Sequence, residues 1–213
     1  MIINILAGGP PDLLPPLTDE KWQDGVWIGV DRGVLRLLEQ KIQPYRAFGD
    51  FDSITTTELL WVQDRLQDIE VFPAEKDEID LELALNWAIR QTPSLIRVFG
   101  ATGGRMDHMF GAVQLLYKGL SACIPIQMID RRNTVSLHMP GNYDIERDES
   151  YRYLSFVSFS HEIQGLTLRG VKYPLTNHTI EWGSTLCISN ELIQQRGTFS
   201  FAKGILMMVR SND

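Results

Sequence analysis

The sequence LIRVFGATGGRMDH, from Leu95 to His108, joins an apolar strand to a glycine-rich turn and then to the start of a helix. Glycines let a backbone approach a ligand closely, and the N–H groups at a helix N-terminus attract anions. Arg105 adds a planar fork of donors that suits phosphate. The turn lacks the Gly-Lys-Ser/Thr ending of a P-loop and the spacing of the dinucleotide fingerprint. It therefore predicts either a phosphate-binding turn or a tight connection in which Asp107 caps the helix.

Strands and helices alternate on both sides of this turn. Apolar runs at Ile2–Leu6, Val26–Val30 and Cys123–Ile129 have the length and composition of buried strands. Leu81–Ile89 has the spacing of an amphipathic helix. Such alternation predicts βαβ units and a mostly parallel sheet.

The pattern changes after about Asn133. Residues from Tyr151 to Val157 alternate with period two, and glycines separate short strand-like runs as far as Gly204. This is typical of a small all-β domain. We therefore expect an α/β N-terminal domain with a mostly parallel sheet over 1–132 and a C-terminal all-β sandwich domain over 133–213.

Composition narrows the classes of partner. The 213-residue chain carries a net charge of −7, so phosphate-rich nucleic acids and anionic membranes would meet repulsion. No apolar run approaches the roughly 20 residues that span a bilayer. The N-terminus predicts a first strand rather than a signal peptide, and we expect a cytoplasmic protein. Cys123 and Cys187 lie in apolar runs and are expected to be buried core thiols.

Acidic residues cluster where the predicted strands end. Ligands of open α/β sheets bind beyond the carboxyl ends of the strands, where this chain places Asp31, Asp50, Asp77 and Asp130. A single aspartate at a strand end is often only a turn former or a helix cap. The repetition at several strand ends favours a ligand site.

The segment GDFDS, from Gly49 to Ser53, contains two of these acids. Alternate residues of an extended segment share a face, so Asp50 and Asp52 are expected to point the same way. Two carboxylates about 4 Å apart repel by roughly 4 kcal/mol at an effective dielectric near 20. Mg²⁺ removes that repulsion and is held by one or two carboxylates plus substrate phosphates. The alternative is an acidic loop in which Ser53 caps the next helix.

A second acidic pair precedes the helix at Leu81. Asp77 and Asp80 are three residues apart and would share one face, with Lys76 close enough for phosphate. In the structural alternative Asp77 is the N-cap and Asp80 suits the positive end of the helix dipole. The two interpretations are compatible.

Further along, a strand-like run from Gly183 leads into a polar turn at Ser189-Asn190-Glu191. Trp182, just before it, is either a core residue or a platform on which a ring stacks. From the residue type alone, the core role is the expected one.

These elements, in this order, resemble the thiamine pyrophosphokinase family. The resemblance covers most of the chain. It implies an α/β catalytic domain, a C-terminal β-sandwich that binds thiamine, and a homodimer with active sites at the interface. It also implies that ATP and Mg²⁺ are used and that AMP is released.

The resemblance also assigns roles to residues. By position, the metal and catalytic acids are Asp50, Asp52, Asp77 and Asp80. Arg105 and Asp107 match the phosphate and active-site positions of the family. The expected nucleotide contacts are Asp31, Lys76, Gly103, Gly104 and Arg105. The expected thiamine contacts are Trp182, Ser189 and Asn190.

Three positions depart from the family pattern. Arg32 stands where a glycine often follows the strand-end aspartate, Ile79 where threonine is common, and Ala112 where asparagine is common. None of the three removes a carboxylate. Two other functions remain open: a metal-dependent phosphohydrolase or nucleotidyltransferase, and a non-enzymatic protein that binds thiamine or a nucleotide.

Overall fold

The computed structural model describes residues 1–50, 55–66, 69–71 and 77–213. The chain divides into two compact units, Met1–Arg131 and Arg132–Asp213. The boundary predicted from the sequence lies one residue later, after residue 132. Within the described residues, no helix is long and apolar enough to cross a membrane.

The first unit contains a parallel sheet. Its strands are β1 (Ile2–Leu6), β2 (Gly25–Val30), β3 (Arg46–Gly49), β4 (Ile69–Val71), β5 (Leu95–Phe99) and β6 (Ile126–Ile129). They lie in the order β4-β3-β2-β1-β5-β6, and each neighbouring pair is parallel. This order places the ends of β2, β3 and β5 at the same edge of the sheet, as the alternation of strands and helices predicts.

Four α-helices are described in this unit: α1 (Arg32–Glu39), α2 (Thr56–Gln63), α3 (Asp80–Arg90) and α4 (Met106–Ala122). Helix α1 packs tightly on β1, since a Cβ at Gly33 would lie 2.0 Å from the carbonyl oxygen of Leu6. The aromatic rings of Trp22 and Trp27 meet Phe99 in the core, with centroids 5.1 and 5.2 Å away. These contacts bury the face of the sheet that carries Leu6 and Phe99.

The helix caps differ from the predicted ones at three places. Helix α2 is capped by Thr55, whose hydroxyl and backbone N–H form a complete capping box with Glu58. The predicted cap Ser53 lies outside the described residues. Helix α3 starts at Asp80 with Ile79 in the cap position and without a side-chain cap, so Asp77 lies too far upstream. Arg105 occupies the cap position of α4, which places Asp107 in the first turn.

The second unit contains β-strands and no helix among its described residues. Its strands are β7 (Asn133–His138), β8 (Gly141–Glu146), β9 (Tyr153–Ser158), β10 (Glu162–Arg169), β11 (Leu175–Glu181), β12 (Arg196–Phe201) and β13 (Leu206–Ser211). They pair antiparallel in the orders β7-β13-β9 and β11-β10-β12-β8. Phe156 from the first group and Phe199 from the second belong to one buried cluster, with ring centroids 5.1 Å apart.

The two cysteines differ in environment, and the prediction of two buried thiols is wrong for Cys123. Helix α4 continues to Ala122, and exposed Cys123 ends it in a left-handed conformation with φ 56°. The following strand therefore starts only at Ile126. Cys187 is buried as expected, and burial raises the pKa of its thiol to about 11.

Candidate active site

Three aspartates converge at the carboxyl edge of the parallel sheet. Asp31 follows β2, Asp50 follows β3, and Asp80 is the first residue of α3. Each offers a carboxylate oxygen that lies within 4.8 Å of the other two, and all three side chains are half-buried. Oxygens so arranged are the hard ligands that Mg²⁺ prefers.

The backbone at Asp31 is held in an uncommon conformation. Its φ of 49° and ψ of −123° are seldom adopted by a residue with a side chain. On the neighbouring strand, Gly49 leaves room for the Asp31 carboxylate, because a Cβ there would lie only 2.2 Å from Asp31 Oδ1. Strain of this kind persists where the surrounding structure imposes it, and it often marks functional sites.

The carboxylates open into a cavity of about 690 Å³ within the first unit. Two backbone turns form part of its wall, Gly8-Gly9-Pro10 after β1 and Gly100-Ala101-Thr102 after β5. The turns touch, since the Gly9 N–H donates to the Gly100 carbonyl over 2.8 Å, and a Cβ at Gly9 would lie 2.3 Å from that oxygen. The cavity therefore combines an acidic edge with a backbone-lined wall.

Arg36 fixes the first of these turns. Its Nη1 donates a hydrogen bond to the Gly9 carbonyl, and its side chain lines the cavity. Burial is the main reason that the pKa of the Arg36 guanidinium is lowered, and the charge of Arg32 adds a smaller effect. Neither Arg36 nor the Gly8-Gly9-Pro10 turn was identified from the sequence as part of the site. The four-residue spacing from Arg32 on a helix that follows a strand-end aspartate was the available signal.

The predicted phosphate contact Arg105 lies at the cavity but is paired. Its Nε and Nη2 donate to the two carboxylate oxygens of Asp107 over 3.1 and 2.5 Å. The hydrogen bond from Arg105 is the main reason that the pKa of Asp107 is lowered. Arg105 is among the cavity-lining residues and Asp107 is not, so their fork-to-fork pair stands at the rim.

A buried carboxylate supports the second glycine turn. Asp130, which follows β6 and is 6% exposed, accepts a hydrogen bond from Thr102 Oγ1 over 2.9 Å. Thr102 in turn lines the cavity. The sequence placed Asp130 at a strand end without assigning it a partner, and the structure gives it the role of holding this turn.

The other predicted residues of the first unit occupy different places. Asp77 lines the cavity and is exposed, but it lies outside the group of three converging carboxylates. Gly104 lines the cavity, whereas Gly103 packs against Leu13, where a Cβ would lie 1.9 Å from Leu13 Cδ1. Asp52 and Lys76 lie outside the described residues.

The three predicted thiamine contacts belong to the second unit. Trp182 is 73% exposed, so the core role considered for it is wrong. Ser189 is exposed with a φ of 58°, and its N–H donates to Ser155 Oγ. Asn190 is buried; its Oδ1 accepts from the Tyr173 N–H and its Nδ2 donates to the Tyr173 carbonyl. The Asn190 side chain thus holds two turns together.

Comparison with known proteins places both units in one family. Residues 18–128 match the family model for the thiamin pyrophosphokinase catalytic domain, and residues 142–206 match the model for the thiamin pyrophosphokinase vitamin B1 binding domain. The first match contains the segment that carries the three converging aspartates.

Individual proteins that resemble this chain carry the name of the same family. A thiamine pyrophosphokinase of Bacillus subtilis strain 168 is 55% identical over 211 residues, which is 99% of each chain. The crystal structure of a thiamin pyrophosphokinase from Geobacillus thermodenitrificans is 53% identical with a TM-score of 0.92, covering 100% of this chain and 98% of that one. A thiamin pyrophosphokinase family protein from Enterococcus faecalis is 33% identical with a TM-score of 0.92 and full coverage of both chains. The chain therefore belongs to the thiamine pyrophosphokinase family.

Proposed function

We propose that this protein is a thiamine pyrophosphokinase that transfers the diphosphate of ATP to the hydroxyl of thiamine, forming thiamine diphosphate and AMP. Membership of the family supports the reaction. The observation that carries the proposal to residues is the convergence of Asp31, Asp50 and Asp80 on one cavity. Neither a phosphohydrolase nor a non-enzymatic binding protein has a specific observation in its favour.

The acidic group fits a magnesium ion. Three carboxylate oxygens within 4.8 Å of one another repel strongly unless a cation neutralises them, and all belong to half-buried side chains. Asp31, Asp50 and Asp80 would hold the ion, with Asp52 as a further ligand from the family resemblance. Bound there, Mg²⁺ supplies charge neutralisation for the polyphosphate.

The walls of the cavity would position the nucleotide. The Gly8-Gly9-Pro10 and Gly100-Ala101-Thr102 turns let backbone come close to phosphate oxygens without side-chain obstruction. Arg105 would neutralise phosphate charge once its donors turn from Asp107 to the substrate. Lys76 and Gly104 are further phosphate contacts in this proposal. Positioning and charge stabilisation supply most of the catalysis in phosphoryl transfer.

Transfer requires one bond to form and one to break. The thiamine hydroxyl oxygen attacks the β-phosphorus, the bond from that phosphorus to the oxygen of the α-phosphate breaks, and AMP leaves with the electron pair. The hydroxyl proton passes to a carboxylate. Asp77 is our candidate for this base, because it lines the cavity but lies outside the group assigned to the ion.

The second unit would bind thiamine as a β-sandwich. Exposed Trp182 offers a ring face to the thiazolium cation, and Ser189 lies on the following turn. Asn190 would act by holding this turn. We further propose a cytoplasmic homodimer with active sites at the interface. Exposed apolar side chains along α4, at Met106, Phe110 and Tyr117, support a buried interface, which light scattering would test.

Product analysis tests the proposed reaction. Protein, ATP, Mg²⁺ and thiamine are mixed, and phosphorus NMR follows the products. We expect AMP and thiamine diphosphate in equal amounts. AMP or ADP without thiamine diphosphate would support a phosphohydrolase or nucleotidyltransferase, and binding without any product would support a non-enzymatic role.

A further inference from the structure

Arg32 is a charged residue at the cavity that the mechanism above does not use. It is the first residue of α1, directly after Asp31, and it lines the cavity together with Arg36. Its side chain is exposed, and a Cβ at Gly8 would lie 3.7 Å from Arg32 Cβ. Arg32 thus stands between the acidic group and the first glycine turn.

Arg32 and Arg36 have different tasks although they lie one helical turn apart. Arg36 is half-buried and bonded to the Gly9 carbonyl, so its guanidinium supports the turn. Within the described ranges, the Arg32 guanidinium forms no ion pair with a carboxylate. Its positive charge is sensed at Arg36, whose pKa it helps to lower after the larger effect of burial.

The carboxylate of Glu58 is the alternative partner. Hydrogen bonds from Thr55 are the main reason that the pKa of Glu58 is lowered, and the charge of Arg32 adds a smaller effect. Glu58 already accepts the Thr55 N–H over 2.6 Å and the Thr55 hydroxyl over 2.9 Å in the α2 capping box. Both of these bonds use Glu58 Oε2, and within the described residues Glu58 forms no ion pair with Arg32. The donor fork of Arg32 is therefore available to a ligand in the cavity.

We infer that Arg32 binds the polyphosphate of the nucleoside triphosphate, as a specificity residue that separates the triphosphate substrate from the monophosphate product. The inference rests on the proposed function for the identity of the ligand. Phosphates held by an ion at Asp31, Asp50 and Asp80 would lie near Arg32, which follows Asp31 and lines the same cavity. The planar fork of arginine suits such oxygens better than a point charge does.

Direct binding tests the role of Arg32 independently of turnover. Isothermal titration with Mg²⁺ and a non-hydrolysable methylene analogue of ATP is compared for wild type, Arg32→Gln, Arg32→Lys and Arg90→Gln. Arg90 is an exposed arginine at the end of α3 that does not line the cavity. Because one charge-assisted contact is lost, Arg32→Gln is expected to bind the analogue about tenfold more weakly than wild type. The affinity of Arg32→Lys should lie between those of wild type and Arg32→Gln.

Affinities for AMP and for thiamine, and the melting temperature, should stay at wild-type values in Arg32→Gln. Wild-type affinity of Arg32→Gln for the analogue would overturn the inference, as would equal weakening for AMP and the analogue. Failure of the proposed function is a separate result: wild-type protein that binds the analogue but makes no thiamine diphosphate refutes the reaction, while the Arg32 comparison still decides whether Arg32 binds polyphosphate.

Discussion

Asp31 and Gly49 pack closely against each other at the carboxyl edge of the sheet, where a Cβ on Gly49 would lie 2.2 Å from Asp31 Oδ1. Gly49 has a φ of 152° and ends β3, while Asp31 directly follows β2 and has a positive φ of 49°. The glycine therefore sets how close one strand end comes to the carboxylate of the next. Because Asp31 lies in one group with Asp50 and Asp80, a displaced Asp31 carboxylate would change the geometry of that group.

Substituting Gly49 tests that spacing. Gly49→Ala must displace the Asp31 carboxylate and should destabilise the fold by about 1–3 kcal/mol, with loss of Mg²⁺-dependent turnover. Gly111→Ala on α4 is the matched control, because a Cβ there meets nothing within 4 Å. The control should gain about 0.5–1 kcal/mol of unfolding free energy and keep its activity. Chemical denaturation and steady-state rates measure both, and wild-type behaviour of Gly49→Ala would contradict the spacing argument.

Asp80 should be required for turnover and dispensable for folding. Asp80→Asn removes a charge from the carboxylate group while keeping its size, so we expect kcat to fall roughly 100-fold or more. Exposed Asp64, paired with Arg65 at the end of α2, is the control, and Asp64→Asn should retain the wild-type rate. The assay is formation of thiamine diphosphate at saturating ATP, with circular dichroism to verify the fold. A normal rate in Asp80→Asn would remove Asp80 from the site.

Trp182 should affect thiamine and leave ATP unchanged. The indole is 73% exposed, so Trp182→Ala should not disturb the fold. Loss of a cation–π platform is expected to cost about 1–2 kcal/mol of thiamine binding, seen as a higher KM for thiamine. Trp182→Phe keeps a ring and should lose less. An unchanged KM for thiamine in the alanine variant would exclude stacking on this residue.

His138 should make the stability of the second unit sensitive to acid. The ring packs edge-on against Tyr143 and Phe199, with centroids 4.8 and 5.1 Å away, and burial lowers its pKa from 6.5 to about 4. Between pH 4 and pH 6.5 the unfolded chain therefore binds more protons than the folded one. The stabilisation that depends on neutral His138 is fully present above about pH 6.5 and is lost as the pH falls toward 4. The loss attributable to this histidine is up to about 3 kcal/mol.

Denaturation at pH 7 and pH 4 measures this loss. His138→Gln should show a smaller difference between the two values than wild type does. Exposed His178 is the control, and His178→Gln should keep the wild-type difference. The same pH difference in His138→Gln as in wild type would show that other groups cause it.

Features that follow from local pattern were predictable from the sequence. Alternating strands and helices indicate a parallel sheet, and a parallel sheet brings the residues after β2 and β3 to one edge. Asp31 and Asp50 were therefore identifiable as site residues before their positions in space were known. Exposure of Trp182 was not, because a strand-like neighbourhood fits a core residue equally well.

Contacts between distant segments were not predictable. The hydrogen bonds from Arg36 to Gly9 and from Thr102 to Asp130 join residues far apart in the chain, and no local pattern marks them. Helix starts also depend on backbone geometry, since Thr55 caps α2 although Ser53 is an equally good residue type. Cys123 was misplaced because its apolar neighbours continue a helix instead of starting a strand.

In the proposed site, Asp31, Asp50 and Asp80 hold one divalent ion against the nucleotide polyphosphate. Electron paramagnetic resonance with Mn²⁺ in place of Mg²⁺ measures that ion directly, in the presence of the methylene analogue of ATP. We predict a bound Mn²⁺ in wild type and in Asp64→Asn, and its loss in Asp50→Asn and Asp80→Asn. Wild-type Mn²⁺ binding in a variant that lacks both Asp50 and Asp80 would contradict the account.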